Sequence, residues 1–388
     1  PQFANHMTNQ GKKKVMIVAG EASGDLHGAN LVRAMLAMNP DLDFYGVGGP
    51  KMKEAGVRCM ADAATMAVVG LTEVFSKLTM ILGIMKRLKR SLIDEDPALT
   101  ILIDYPDFNM PLARAAKKRG ARVFYYISPQ VWAWRRGRIR QLSRCVDRMA
   151  VILPFEAEMY HQAGMDAVFV GHPLLDAVKT KYSRREALPK FGLQEGKTVI
   201  GILPGSRPSE VVKLLPAMLA AAGLVKEELP SAQFVLPLAD TLDRNYVEEM
   251  IRPDREKLNL KVIGNEIYDV LAVCDAAMVA SGTATLETAL IGVPMIIVYK
   301  ISLLTYLMGR IFVNVEHIGL ANIIAGKTVV PELIQHDANP PRMAKELLAI
   351  LTDGERKNRI KQELAGIREK LGAPGASQRA ARLAVEML

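Results

Sequence analysis

Val15-Met16-Ile17-Val18-Ala19-Gly20-Glu21-Ala22-Ser23-Gly24-Asp25-Leu26-His27-Gly28 is the stretch on which the reading of this chain turns. Five apolar residues in a row have the length and character of a strand buried on both faces. They run straight into a glycine-rich turn, after which Gly28 to Met38 repeats apolar positions at helical spacing. Strand, tight turn and helix make the first half of a βαβ unit. In such a turn the backbone can come close to a ligand, and the first N–H groups of the helix face an anion. Ser23 or Asp25 equally suits a plain cap for that helix. The dinucleotide fingerprint G-x-G-x-x-G is missing here, so no nicotinamide site is expected.

The same alternation continues outward. Thr100 to Ile103, Val123 to Ile127, Met149 to Ile152 and Ala167 to Val170 read as buried strands, with Phe44 to Gly46 another. Leu112 to Lys118 and Glu156 to Ala163 have helical period between them. A linker is expected at Lys179 to Leu193, followed by strands at Thr198 to Leu203, Gln233 to Pro237, Lys261 to Ile263, Ala276 to Ala280 and Met295 to Val298. The pattern predicts an α/β fold of two parallel-sheet domains, 7–175 and 176–345. A basic helical tail, 346–388, is broken at Gly372 to Gly375. Ligands of such sheets bind at the carboxyl ends of the strands, and two facing sheets leave a cleft.

Composition narrows the function classes. Hydrophobic residues make up 50% and charged ones 23%, a globular balance that excludes intrinsic disorder. Fifty Lys and Arg against 41 acids leave +9, which suits an anionic substrate or a membrane surface without demanding nucleic acid. Cys59, Cys145 and Cys274 form no C-x-x-C pair, so neither a disulfide framework nor a thiolate zinc site is expected, and the compartment reads as reduced cytoplasm. Pro294 and polar residues interrupt the oily stretch from 289 to 313, and the run after Lys12 to Lys14 is too short for a signal peptide. Pro1 to His6, ahead of Met7, reads as an appended leader. The six histidines have no ligand spacing, and the acids at Asp41, Asp43 and Asp94 to Asp96 read as solvated helix ends. No metal or cofactor is expected.

Five stretches carry candidate chemistry. Asp104-Tyr105-Pro106-Asp107-Phe108-Asn109 follows a buried strand, and Asp104, at the strand's end, is the stronger candidate for removing a proton from a hydroxyl. Asp107 and Asn109 suit helix capping as well as ligand contact. Ser128 to Arg138 holds both tryptophans of the chain amid arginines. Trp134 and Arg135 could clamp the phosphate of a small acceptor, with Ser23 and Asn109 as partners, or lie on a solvated basic helix. Gly205, Ser206 and Arg207 follow a strand, and the Arg207 fork suits a pyrophosphate. Ser281-Gly282-Thr283-Ala284-Thr285-Leu286-Glu287 offers hydroxyls, a helix start and, at Glu287, a carboxylate within reach of a ribose. Two such turns in one unit point to a nucleoside diphosphate. Finally Met66 to Leu92 crowds Val68, Val69, Leu71, Phe75, Leu78 and Ile81 ahead of Lys86 and Arg87, as a helix lying on an anionic membrane would. A core helix is the plainer reading of the same residues.

Gly20 to Asp25, Gly46 to Met52, Asp104 to Asn109, Ser128 to Trp134, Leu203 to Arg207 and Ser281 to Glu287, in this order over residues 15 to 330, resemble the lipid-A-disaccharide synthase family. The resemblance implies a GT-B glycosyltransferase, two Rossmann-like domains facing a central cleft, with C-terminal helices packing back on the N-terminal domain or a partner. It implies inverting transfer from UDP-2,3-diacylglucosamine to 2,3-diacylglucosamine 1-phosphate (lipid X). The products would be a β-1,6-linked tetraacyl disaccharide 1-phosphate and UDP, made for lipid A on the cytoplasmic face of a Gram-negative inner membrane. Carried over by motif, Asp104 is the base for the acceptor 6-hydroxyl, with Glu21 and Asp25 as competitors. Arg207 and Ser281 to Thr285 would hold the pyrophosphate and Glu287 the ribose. Asn322 matches a family asparagine near the nucleotide, although Ala321 stands where proline is usual. The oily segment becomes a peripheral membrane dock, and exchange of C-terminal helices implies a homodimer. A UDP-N-acetylglucosamine 2-epimerase or a MurG-like transferase is the alternative; neither accounts as well for the oily basic segment together with Trp132-Ala133-Trp134.

Overall fold

The apolar runs become the central strands of two parallel sheets. A computed structural model describes residues 12–63, 71–130, 137–300 and 317–388, leaving aside the side chains of Ala22 and 71–77. The first sheet contains β1 (Lys13–Ala19), β2 (Leu42–Gly48), β3 (Arg58–Asp62), β4 (Leu99–Ile103), β5 (Val123–Tyr126), β6 (Arg148–Val151) and β7 (Ala167–Phe169), in the order β3-β2-β1-β4-β5-β6-β7. The second contains β8 (Val199–Leu203), β9 (Gln233–Leu238), β10 (Leu260–Gly264), β11 (Ala276–Ala280), β12 (Met295–Tyr299) and β13 (Glu332–Ile334), in the order β10-β9-β8-β11-β12-β13.

Helices cover both faces of the first sheet, so alternate residues of one strand enter different cores. Met16, Val18 and Tyr125 pack on one side; Val15, Ile17, Phe124 and Tyr126 pack on the other. Two strands were not expected from the sequence: β3 and β13, both at sheet edges. Arg58-Cys59-Met60-Ala61-Asp62 is only partly buried and carries a charge at each end, and β13 has three residues. An edge strand needs no continuous apolar run, so the signal was absent. The expected linker also contains a helix, Arg184–Lys190, opened by a capping box in which the Ser183 side chain accepts from Glu186 N.

The chain divides into two compact units, 1–173 with 373–388, and 174–372. Helices Pro340–Thr352 and Gly354–Lys370 belong to the second unit, separated by Asp353, which caps the latter through Arg356 N. The last helix, Ala376–Val385, packs on the first unit of its own chain, where Ala380, Ala381 and Ala384 join the core beside Ala29 and Val32 of helix Ala22–Met38. Small residues allow the two helices to approach closely. Arg148 pairs with Glu386 at 2.8 Å and Lys13 Nζ donates to the Leu388 carbonyl, tying down the chain end. Helix Pro208–Glu228 is long and apolar enough by composition to cross a bilayer. Its Val211, Leu214, Leu215, Met218 and Ala222 are buried in the second unit, which accounts for that composition.

Candidate functional site

In the first sheet the strand order reverses between β1 and β4, and loops leaving a reversal point diverge and open a crevice. Ala19 pairs with Ile103, so Gly20 and Asp104 leave the sheet at one level. They meet closely: a Cβ on Gly20 would lie 2.3 Å from the Tyr105 ring. Asp104 and Tyr105 both take left-handed backbone, φ 44° and 47°, a costly conformation for side-chain-bearing residues. Hydrogen bonds hold it. Asn109 Nδ2 donates to the carbonyls of Ile103 and Asp104 at 3.1 and 2.8 Å, and the Tyr125 hydroxyl donates to the Asp104 carbonyl at 2.5 Å. Burial, with the Glu21 carboxylate second, pushes the Asp104 carboxyl up to about 6. A carboxylate poised there is a competent base near neutral pH.

The other candidates of this turn divide by what they touch. Glu21 is exposed at the N-cap of helix Ala22–Met38 and makes no capping bond, and Ser23 is exposed on the first turn. Asp25 is buried, and its two oxygens accept from the backbone N–H groups of Gly49, Lys51 and Met52 at 2.7 to 3.0 Å. It therefore organises the start of helix Pro50–Glu54, and a Cβ on Gly49 would strike it at 2.6 Å. Asn109 is fully buried and spends its amide N–H on the Asp104 turn. The geometry gives both residues framework tasks.

The second sheet reverses between β8 and β11, where Leu203 pairs with Val279. Gly205 leaves β8 at φ 111°, and a Cβ there would meet Glu210 Oε2 at 2.4 Å. Ser206 and Arg207 are exposed; Arg207 N-caps helix Pro208–Glu228 and lies 3.4 Å from Glu210 Oε1. Gly282, at φ 154° and ψ −162°, occupies a region open essentially to glycine alone, and as the N-cap residue of helix Thr283–Ile291 it supplies no side-chain cap. The N–H of Thr285 bonds to the Gly282 carbonyl at 3.1 Å, which leaves those of Thr283 and Ala284 to face an anion. Thr283 is exposed and Ala284 half-buried, whereas Thr285 is buried with its hydroxyl donating to the Gly282 carbonyl at 2.8 Å. Ser281 Oγ donates to the Ile318 carbonyl at 3.4 Å.

One turn into that helix, Glu287 accepts a hydrogen bond from the Tyr268 hydroxyl at 3.0 Å. Burial pushes the Glu287 carboxyl up and the Tyr268 bond draws it back. Nothing in the sequence singled out Tyr268, because its partner is nineteen positions away along the chain. Asn322, expected at the nucleotide, is fully buried. Its Nδ2 donates to Val330 O and Glu332 Oε1, and its Oδ1 accepts from Val329 and Val330 N. Every hydrogen-bonding position of that amide is used, on the loop backbone at 329–330 and on Glu332 of β13, so it shapes the backbone there.

Trp134, Arg135, Val68 and Val69 lie outside the described residues, as do the side chains of Leu71 and Phe75. Ahead of the tryptophans Ile127 has φ 63°, and Ser128 is buried on Glu156 and Tyr160 at 2.9 and 3.0 Å, a network the sequence did not disclose. Helix Leu71–Asp94 buries Ile84, Leu88 and Leu92, four residues apart, and Ile81 packs partly against the same core. On its outer side Leu78, Met80 and Leu82 are 41, 39 and 57% exposed, followed by exposed Lys86 and Arg87.

Comparison with known proteins gives the family and the fold. The family described as "Lipid-A-disaccharide synthetase" matches residues 15–387. The lipid-A-disaccharide synthase of Syntrophus aciditrophicus (strain SB) is 58% identical over 97% of this chain and 98% of its own length. Among solved structures, the "glycotransferase of kitacinnamycin" superposes with a TM-score of 0.65 at 15% identity, covering 97% of this chain and 99% of its own. The UDP-GlcNAc 2-epimerase of Neisseria meningitidis bound to UDP-GlcNAc reaches a TM-score of 0.60 at 14% identity, covering 96% of this chain and 98% of its own. At such identities the likeness is one of fold, the GT-B arrangement of two parallel-sheet units, and does not favour epimerisation.

Proposed function

The chain belongs to the lipid-A-disaccharide synthetase family, and from that premise we propose the following assignment of its residues. It is an inverting glycosyltransferase that condenses UDP-2,3-diacylglucosamine with 2,3-diacylglucosamine 1-phosphate to give the β-1,6-linked tetraacyl disaccharide 1-phosphate and UDP. The observation that carries the assignment is Asp104, at the end of β4 beside the reversal of the first sheet, with its carboxyl raised to about 6. Above that pH it accepts the proton of the acceptor 6-hydroxyl while the oxygen attacks the anomeric carbon from the face opposite UDP. One displacement inverts the centre, and no covalent enzyme intermediate is required. Negative charge builds on the departing diphosphate. Arg207, Gly205, Ser206 and the N–H groups of Thr283 and Ala284 stabilise it, and Glu287 takes the ribose. Glu21 and Ser23 line the acceptor side.

The exposed Leu78, Met80 and Leu82, ahead of Lys86 and Arg87, support docking of the first unit on the anionic cytoplasmic face of the inner membrane, where both acylated substrates reside. Exchange of helix Ala376–Val385 between two copies would make the same contacts between chains; sedimentation over a concentration series tests for that dimer. The reaction itself is tested by supplying both substrates in detergent with EDTA and comparing the wild type with Asp104→Ala. Disaccharide from the wild type alone supports the assignment. Absence of product from folded wild type, with Mg²⁺ added as well, overturns it and sends the test to epimerisation of UDP-N-acetylglucosamine.

A further inference from the structure

We propose that Tyr268 is a positioning residue of the nucleotide site: its hydroxyl holds one oxygen of the Glu287 carboxylate so that the other accepts from the ribose, and the pair selects ribonucleoside over 2′-deoxyribonucleoside diphosphates. The inference rests on the UDP-sugar reading above and adds to it the residue that tunes the ribose contact.

The topology brings the two residues together. β10 lies at one edge of the second sheet and β11 beyond β9 and β8, so helix Ile267–Ala272 must cross those strands to return the chain to β11. That crossing carries Tyr268 to helix Thr283–Ile291, with its hydroxyl 3.0 Å from Glu287 Oε1. Both residues are half-buried, neither sealed in the core nor free in solvent. The neighbouring Asp269 is different: buried, it accepts from the N–H groups of Lys181 and Tyr182 at 2.7 and 3.0 Å and so fastens the chain locally. The anchoring task of this helix thus falls to residue 269, and Tyr268 is left facing the carboxylate.

The chemistry follows from what a carboxylate can do. Ionised, it only accepts, through two oxygens; protonated, one of them becomes a donor. Burial favours the protonated form of Glu287, and a hydroxyl donating to it favours the ionised one. Tyr268 therefore works against burial, toward the form of Glu287 that accepts from a sugar hydroxyl, and fixes the plane of the group by bonding to Oε1. The 2′- and 3′-hydroxyls of a ribose can both donate to the remaining oxygen. A 2′-deoxyribose leaves that partly buried charge under-satisfied, which is where discrimination by hydrogen bonding is strongest.

The test is calorimetric titration of UDP and of 2′-deoxy-UDP into the full chain, as wild type, Tyr268→Phe and Glu287→Gln, with thermal unfolding of each variant alongside. A hydrogen bond to a charged group corresponds to roughly tenfold or more in affinity, so the wild type is expected to prefer UDP by about that factor. Tyr268→Phe keeps the ring. It is expected to weaken UDP by about fivefold to tenfold, to leave 2′-deoxy-UDP nearly unchanged and so to remove most of the preference. If Tyr268→Phe weakens both ligands equally, or neither, the inference is wrong and the bond is merely structural. If Glu287→Gln keeps both UDP affinity and preference, the ribose assignment of Glu287 falls while UDP binding survives. A wild type that binds no UDP overturns the underlying reading and this inference with it.

Discussion

The two sheets reverse their strand order at equivalent places, between β1 and β4 in one and between β8 and β11 in the other, yet the two crevices are furnished in opposite ways. At the first, side chains with charge are driven into unusual positions. Asp104 and Tyr105 take left-handed backbone, Tyr125 and Asn109 clamp the Asp104 carbonyl, and Asp25 is consumed in ordering the next turn. At the second, glycines do the shaping, and the groups left over are backbone N–H at a helix start. Under the proposed assignment, one topology thus provides two kinds of site. A proton acceptor needs a side chain whose pKa is moved by burial and a neighbouring charge, whereas a diphosphate is met by backbone dipoles that glycine leaves uncovered.

The largest effect that would break this contrast is at Asp104. Asp104→Asn is expected to lower kcat by about 10²- to 10⁴-fold while UDP titrates as in the wild type; a variant within tenfold of wild-type turnover would remove the proton acceptor from the first crevice. Next comes Asp25. Replacing it by Ala strands three backbone N–H groups, two of them in buried bonds. It should destabilise the first unit by about 2 kcal/mol or more in denaturant unfolding, at about 1–3 kcal/mol for an unsatisfied buried group. An Asp25→Ala chain of wild-type stability but no turnover would return Asp25 to the chemistry.

At the second crevice Gly282→Ala meets no neighbour within 4 Å among the described residues, so the expected effect is conformational. Backbone strain of about 1–3 kcal/mol predicts UDP binding roughly tenfold weaker, and unchanged affinity would show that the glycine does not shape the site. The smallest effect sharpens the first crevice. Because Asp104 must be ionised to act, kcat/KM should rise with pH through about 6 and level off above it. The negative charge of Glu21 disfavours that ionisation, so Glu21→Gln lowers the Asp104 pKa and moves the rising limb to more acid pH with little change in its plateau. Loss of the plateau itself would instead make Glu21 the base.

Much of this was legible in the residues. The strands at sheet centres and the reversal-point turns after Ala19, Ile103, Leu203 and Ala280 follow from local pattern, because a strand buried on both faces must be apolar and a turn at its carboxyl end must use small or polar residues. Asp25, Asn109 and Asn322 were legible as polar residues in motifs, but their tasks were not. Each meets backbone groups, and for Asp25 those groups come from a different element, Gly49 to Met52, more than twenty positions away. Serine and glutamate at 183 and 186 carried a capping-box signal for a helix inside the supposed linker, a pattern that could have been found.

The sequence by itself determined the two-unit α/β fold and the family, and it marked the small-residue turns at the strand ends, since periodicity and such turns are properties of neighbours along the chain. Only the tertiary structure decided which carboxylate is raised and which is spent, that β3 and β13 close the sheets, that the last helix returns to the first unit, and that Tyr268 reaches Glu287. Those outcomes depend on burial and on hydrogen bonds between residues far apart in sequence. A string of residue types fixes what each group can offer, but which partner it meets is set by packing.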